Sequence, residues 1–464
     1  MKATTHQYWI LWALSSVLII VFLGFILFKG EDKTLFMPGP LTSGHHQIGV
    51  ACETCHTEDF NTQKDFQDAC ESCHGDDREK PFDSHPKAKF TDPRNAALLE
   101  KLDVTQCKTC HSEHRPGITH KGGYTQPKDF CVHCHADIGN DRPSHKEMDF
   151  MSCNDAGCHN YHNNRALYTD FLVKHADEPV HLEKQRLPIK DYAQRLEELV
   201  EYPRDQFPIK PLSKEDVDVA KEHHGDAAIM EDWLATAHAK SGVTCEACHQ
   251  TASLPADNAD NNWNSHPDHK SCATCHDMEV EHFKKGKHGM RLASELSPMT
   301  PQLARLPMHQ TSADKPLDCM SCHAAHHFDV KAAAVESCLG CHADEHSLAY
   351  KDSPHYALWQ KELSGELPEG SGVSCASCHM PRIDTDVNDW MSRIVVSHNQ
   401  NATLVPNEKM LRPACLHCHG LEFSINAISD TTLINNNFNG QPTFKTKSVD
   451  FAKEDQKRHE QKNN

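Results

Sequence analysis

The sequence predicts a mainly α-helical chain with much irregular structure, one N-terminal transmembrane helix, and an interior filled by something other than side chains. Three observations carry this. A 21-residue run without a charge, Tyr8 to Phe28, opens a chain that is otherwise polar. Apolar residues make up only 38% of the 464 residues and the mean hydropathy is -0.65, lean for the roughly three cored domains this length suggests. All 22 cysteines fall into pairs, and a His follows the second Cys of every pair.

The apolar run is long enough to cross the hydrocarbon core as a helix. A cleaved signal peptide is the alternative, but its apolar region is shorter and a small-x-small site follows it. Here the next residues are Lys29-Gly30-Glu31-Asp32-Lys33. Residues 1–29 therefore read as a cytoplasmic tip and retained anchor, and residues 30–44, with Pro38-Gly39-Pro40, as a linker. The formal charge of -19 argues against nucleic acid as a partner.

The regular cysteine pairs are Cys52/Cys55, Cys70/Cys73, Cys107/Cys110, Cys131/Cys134, Cys245/Cys248, Cys272/Cys275, Cys319/Cys322, Cys338/Cys341, Cys375/Cys378 and Cys415/Cys418. Cys153/Cys158 is a longer variant enclosing Asn154 to Gly157. The histidines that follow are His56, His74, His111, His135, His159, His249, His276, His323, His342, His379 and His419. C-x-x-C-H is the attachment signature of c-type haem. Two thiols reach the vinyl groups on one porphyrin edge, and the adjacent His ligates the iron from the proximal side. Zinc would need paired half-sites and leaves the adjacent His unexplained. Disulfides would not demand the His at all. Eleven covalent haem c groups follow, with a haem-packed core that accounts for the scarce apolar side chains. Because c-type haem is attached outside the cytoplasmic membrane in bacteria, the haem domain is expected in the periplasm, tethered to the inner membrane.

Residues 45–162 form a five-haem domain, 163–237 a haem-free helical segment, 238–420 a six-haem domain and 421–464 a C-terminal tail whose charged end, from Lys453, is expected to be disordered. The two haem blocks echo each other. Cys107-Lys-Thr-Cys-His-Ser-Glu-His114 matches Cys319-Met-Ser-Cys-His-Ala-Ala-His326, and Ser84-His85-Pro86 matches Ser265-His266-Pro267. A duplicated five-haem unit with an added haem explains the echo, as does motif density alone. In the haem-free segment, Tyr192, Leu196, Leu199 and Val200 keep helical spacing up to Pro203. Ser213 to Asp216 resembles a capping box for a helix ending at Gly225. Asp226 can cap a third helix running to Ala237. The segment reads as a spacer over haem faces, or as a substrate or partner platform.

Beyond the eleven proximal histidines, 26 of the 37 remain. Position suggests the distal iron ligands. His46 and His238 stand six or seven residues ahead of the first motif of each block. His85 and His266 lie in the Ser-His-Pro echoes, and His114 and His326 follow a proximal His by three. His145, His162, His288, His355 and His398 complete the set. Iron held by two histidines has no open position and moves electrons, whereas an enzyme needs one open haem. No catalytic residue is identifiable.

With these motifs in place, the chain resembles a multihaem c-type cytochrome from Cys52 to His419. Trp233-Leu-Ala-Thr-Ala-His238-Ala-Lys-Ser-Gly-Val-Thr-Cys245 and Gly372-Val-Ser-Cys375-Ala-Ser-Cys-His-Met-Pro381 are similar to segments of the superfamily of pentahaem nitrite reductase, hydroxylamine oxidoreductase and octahaem tetrathionate reductase. That resemblance implies closely stacked haem pairs and, in some members, a catalytic haem. The anchor-plus-haem layout also resembles membrane-anchored quinol-oxidising tetrahaem cytochromes, which differ in haem number and spacing. The expected function is electron transfer from a membrane quinol-linked donor to a periplasmic redox protein. The alternatives are a terminal reductase of a small nitrogen or sulfur oxyanion, and direct quinol oxidation beside the anchor.

Overall fold

The computed structural model describes residues 2–30, 32–58, 61–79, 104–120, 122–142, 145–146, 162, 169–190, 205–206, 210–219, 227–250, 263–388, 391–401, 407–443 and 445–463. The chain is mostly helical, in short pieces joined by irregular segments. The longest helix, Lys2–Lys29, spans about 42 Å at 1.5 Å per residue. Its Thr5–Lys29 stretch has a mean hydropathy of 2.8 and is not buried by the rest of the chain. It is long and apolar enough to cross a bilayer, a property shared by membrane anchors and signal sequences.

The cysteine motifs account for about a third of the remaining helical pieces. In seven of them the His backbone N–H donates to the carbonyl of the first Cys, four residues earlier, at 2.8–2.9 Å. This closes a single helical turn that sets the two thiols on one face, three positions apart. Local caps fix where several turns begin. The Asp318 carboxylate accepts from Ser321 N ahead of Cys319–Cys322, and the Ser374 hydroxyl accepts from Ser377 N ahead of Cys375–His379.

One two-stranded sheet, which the sequence reading did not foresee, follows the Cys375 motif. Strand Arg382–Asn388 pairs antiparallel with Met391–Val396 in the register Arg382 to Val396, with an irregularity between Asp386 and Asn388. It leads directly into His398.

Among the described residues, buried apolar side chains gather into two small clusters. One gathers Leu172, Ala176, Leu411, Leu421, Ile425, Ile428, Val449 and Ala452, and the other Val335, Tyr350 and Trp359. The first corrects the expectation of a disordered C-terminal end. Ser448–Asn463 is a helix that packs on Thr169–Lys174. Val449 and Ala452, three apart, supply its apolar face, and Lys453 reaches Asp177 at 2.8 Å.

In the haem-free segment the Ser213 capping box is present, but it heads only the short 3-10 turn Lys214–Asp216. A helix runs Ala227–Ala235, and Thr236 then caps a separate turn, Ala237–Lys240, that carries His238. The Tyr192–Val200 periodicity, Gly225 and Asp226 lie outside the described residues. The N-terminal block docks on the C-terminal one through three backbone carbonyls. Lys287 donates to Gly44 O (2.5 Å), Arg291 donates to Gln47 O (2.6 Å), and the His46 ring meets Leu303 O (3.0 Å).

Leu421 is fully buried in the larger cluster, whereas Leu306 is 57% exposed. Leu421→Ala is expected to destabilise the folded chain by about 2–5 kcal/mol. Leu306→Ala should shift it by less than about 0.5 kcal/mol. Thermal unfolding of the haem-loaded protein followed by circular dichroism checks both.

Candidate haem-binding centres

Many of the described histidines meet in twos, and His419 also meets a third ring, His181, at 5.0 Å. Eight motif histidines each face the ring of a second histidine outside the motifs. The pairs are His74 with His45 (ring centres 5.9 Å apart), His111 with His162 (6.1 Å), His249 with His326 (5.8 Å) and His276 with His238 (6.0 Å). The others are His323 with His398 (6.2 Å), His342 with His288 (6.2 Å), His379 with His346 (6.0 Å) and His419 with His355 (6.2 Å). Two imidazoles on opposite sides of one metal ion, each about 2 Å from it through a ring nitrogen, place their ring centres about 6 Å apart. The donor set and the spacing both fit six-coordinate haem iron. Among the described residues no cluster of three or more His, Cys, Asp or Glu side chains forms a protein-only metal site.

Second contacts orient these rings. Nδ1 of His111 bonds Gly123 O (3.1 Å), that of His249 bonds Asn264 O (2.7 Å), and that of His346 bonds Ile434 O (2.5 Å). Nδ1 of His398 bonds Val396 O (2.9 Å) and that of His419 bonds Val180 O (3.1 Å). A carbonyl partner requires the proton on Nδ1, which leaves the Nε2 lone pair for a metal. At His419 the carbonyl reaches the ring because Gly420 follows. A Cβ there would run into Pro179 O. Burial, with a second His nearby, lowers the pKa of His288, His323, His355 and His379 to about 4. These rings are neutral near pH 7, the form that ligates metal.

Of the distal ligands expected from sequence, His162, His238, His288, His326, His355 and His398 each occupy one side of a ring pair. His145 lies within electrostatic reach of His135. The structure departs from the expectation at His46, whose two ring nitrogens engage Ser43 O (2.9 Å) and Leu303 O (3.0 Å). Its neighbour His45 faces His74 instead. His266 bonds the Ser265 hydroxyl at 3.1 Å and faces no motif histidine among the described residues. His114 bonds Gly39 O through Nδ1 at 2.8 Å and is likewise unpaired with a motif ring there. His85 lies outside the described residues.

Three histidines that face a motif ring escaped the sequence reading, His45, His346 and His181. His45 stands seven residues ahead of Cys52, as His238 stands seven ahead of Cys245, so the repeat carried the signal. His346 had none, since it follows His342 but faces His379 from a different motif. The repeat is also visible in the backbone. His114 and His326 share a left-handed conformation, φ 60° and 62°, which is uncommon for a non-glycine residue.

The structure places twenty of the expected attachment thiols, and none of these forms a disulfide. Cys153, Cys158 and His159 lie outside the described residues, so the longer-spaced site expected from sequence has no described geometry. Cys73, Cys134 and Cys275 are exposed, whereas Cys341 and the remaining thiols are half-buried. Each of the three exposed thiols belongs to the second Cys of a motif. The backbone N–H of Cys134, Cys275 and Cys341 donates to the first Cys of its own motif at 3.1–3.2 Å. These residues are thus held by a local turn, and the chain by itself provides little apolar cover for the thiols. The Thr274 hydroxyl lies 3.8 Å from the Cys275 sulfur, and the His309 N–H donates to Cys341 O at 2.9 Å.

The thiols of successive motifs lie against one another. The closest electrostatic contacts join Cys70 to Cys107, Cys272 to Cys319 and Cys338 to Cys375. Weaker electrostatic contacts join Cys55 to Cys73, Cys248 to Cys272 and Cys275, Cys322 to Cys338 and Cys341, and Cys378 to Cys418. Two runs of neighbours result. One comprises the first three motifs and the other all six motifs from Cys245 to Cys418.

Comparison with known proteins finds two family matches. Residues 44–136 match the cytochrome c3 family, and residues 271–336 match the family of cytochrome c554 and c-prime. No curated protein and no solved structure matches the chain. Each family match falls on a run of the paired-cysteine motifs, and together they support reading the chain as a multihaem c-type cytochrome.

Proposed function

We propose that this protein carries electrons along eleven covalently bound haem c groups, from a quinol-linked donor in the inner membrane to a periplasmic redox partner, with Lys2–Lys29 as the anchor. One observation carries the reading. Eight motif histidines have a second imidazole at the separation that fills both axial positions of an iron, an arrangement suited to electron transfer and closed to substrate. When bound, each haem supplies a one-electron couple. The chain's part is to hold each iron between two neutral imidazoles, to fix the tautomer of those imidazoles through backbone carbonyls, and to bring successive attachment sites together. The thiol contacts support a continuous order of sites from Cys245 to Cys418. By repeat symmetry, His114 is the ligand opposite His56. The acidic chain suits basic partners met transiently.

Low-temperature EPR of the oxidised holoprotein, with haem quantified in the same sample, tests this reading. Low-spin ferric signals should account for all the haem after allowance for coupled pairs. A high-spin signal of about one haem, shifted by nitrite, hydroxylamine or sulfite, would favour a terminal reductase instead. The ligand register has its own check. His45→Gln should alter the axial ligation of one haem in visible and EPR spectra, while His46→Gln should leave every haem spectrum unchanged. Deleting Tyr8 to Phe28 should abolish reduction by membrane quinol and preserve reduction by dithionite.

A further inference from the structure

Most oriented histidines of the ring pairs donate Nδ1–H to a neutral backbone carbonyl. His45 is different. Its Nδ1 lies 2.7 Å from Glu113 Oε1, and the same carboxylate accepts from Thr42 N and the Thr42 hydroxyl, each at 2.8 Å. Among the described residues, no carboxylate is hydrogen-bonded to His238, the counterpart of His45 in the second block. Aligning Cys107–His114 with Cys319–His326 puts Ala325 where Glu113 stands. The carboxylates nearest to paired rings there are farther away, Asp344 Oδ2 at 3.7 Å from His342 Nδ1 and Glu279 Oε2 at 4.0 Å from His276 Nδ1, beyond hydrogen-bond reach.

We propose that Glu113, acting through His45, sets the haem held between His74 and His45 at a lower reduction potential than its counterpart between His276 and His238. The inference rests on the ligand reading above. A carboxylate hydrogen-bonded to a ligating imidazole makes that imidazole a stronger donor, which favours the oxidised, more positive state of the one-electron couple. Glu113 is a positioning residue for His45 as well as an electrostatic one. Placed in the N-terminal block, it biases electrons to leave that site toward the rest of the chain.

The test is Glu113→Gln in the full haem-loaded protein, read by spectroelectrochemical titration and EPR. One low-spin haem should move to higher potential with altered g values, while the others and the low-spin total stay unchanged. Unchanged potentials would overturn the proposal. So would conversion of one haem to high spin, because Glu113 would then serve only to hold the ligand in place. If the variant fails to accumulate, Ala325→Glu at its exposed position decides. A lowered potential at one haem supports the proposal and no change overturns it. Separately, His45→Met identifies a failure of the ligand reading itself, since it would then leave every haem spectrum intact.

Discussion

Everything in this chain depends on two imidazoles meeting across a gap of about 6 Å. One comes from a cysteine motif and is placed by a local turn, in which the His N–H reaches the carbonyl of the first Cys. The other comes from elsewhere in the sequence. In the pair of His74 and His45 the partners are close along the chain, but His323 meets His398 and His419 meets His355. Each such pair is a long-range tie. A chain with two small apolar clusters among its described residues is organised by these ties more than by hydrophobic contacts.

The carbonyl acceptors behind the rings extend that logic. The sheet that follows the Cys375 motif ends in Val396, whose carbonyl orients His398. The segment around Val180 does the same for His419, and the close approach at Gly420 makes room for it. Short irregular elements that look incidental in a secondary-structure listing are the supports of individual rings. Where the support is a carboxylate, as at His45, the same geometry adds a charge, and two otherwise equivalent sites in a repeated block become chemically distinct.

What was legible in the sequence was local. The cysteine motifs announce their own chemistry because both thiols and the His are fixed within five residues. The apolar N-terminal run, the Ser213 capping box and the echo between Cys107 and Cys319 were equally open to reading. The exposure of Cys275 was not, because motif spacing says nothing of what covers a thiol. The ring partners were also obscure, because a histidine carries no mark of the motif it will meet. His45 and His46 are adjacent, and their roles are separated by distant partners, Glu113 for one and the Leu303 carbonyl for the other. His346 faces His379 although His342 is nearer in sequence. The C-terminal end misled for a related reason. Its charge content suggested disorder, but two small apolar residues one helical turn apart suffice to dock it on Leu172.

The most direct measurement is a structure of the haem-loaded protein with iron located by anomalous scattering or high-resolution cryo-electron microscopy. The account predicts an iron midway between the two rings of each of the eight pairs, His45 with His74 and His346 with His379 included. Iron coordinated by His46 in place of His45, or rings of a pair found on different irons, would contradict it.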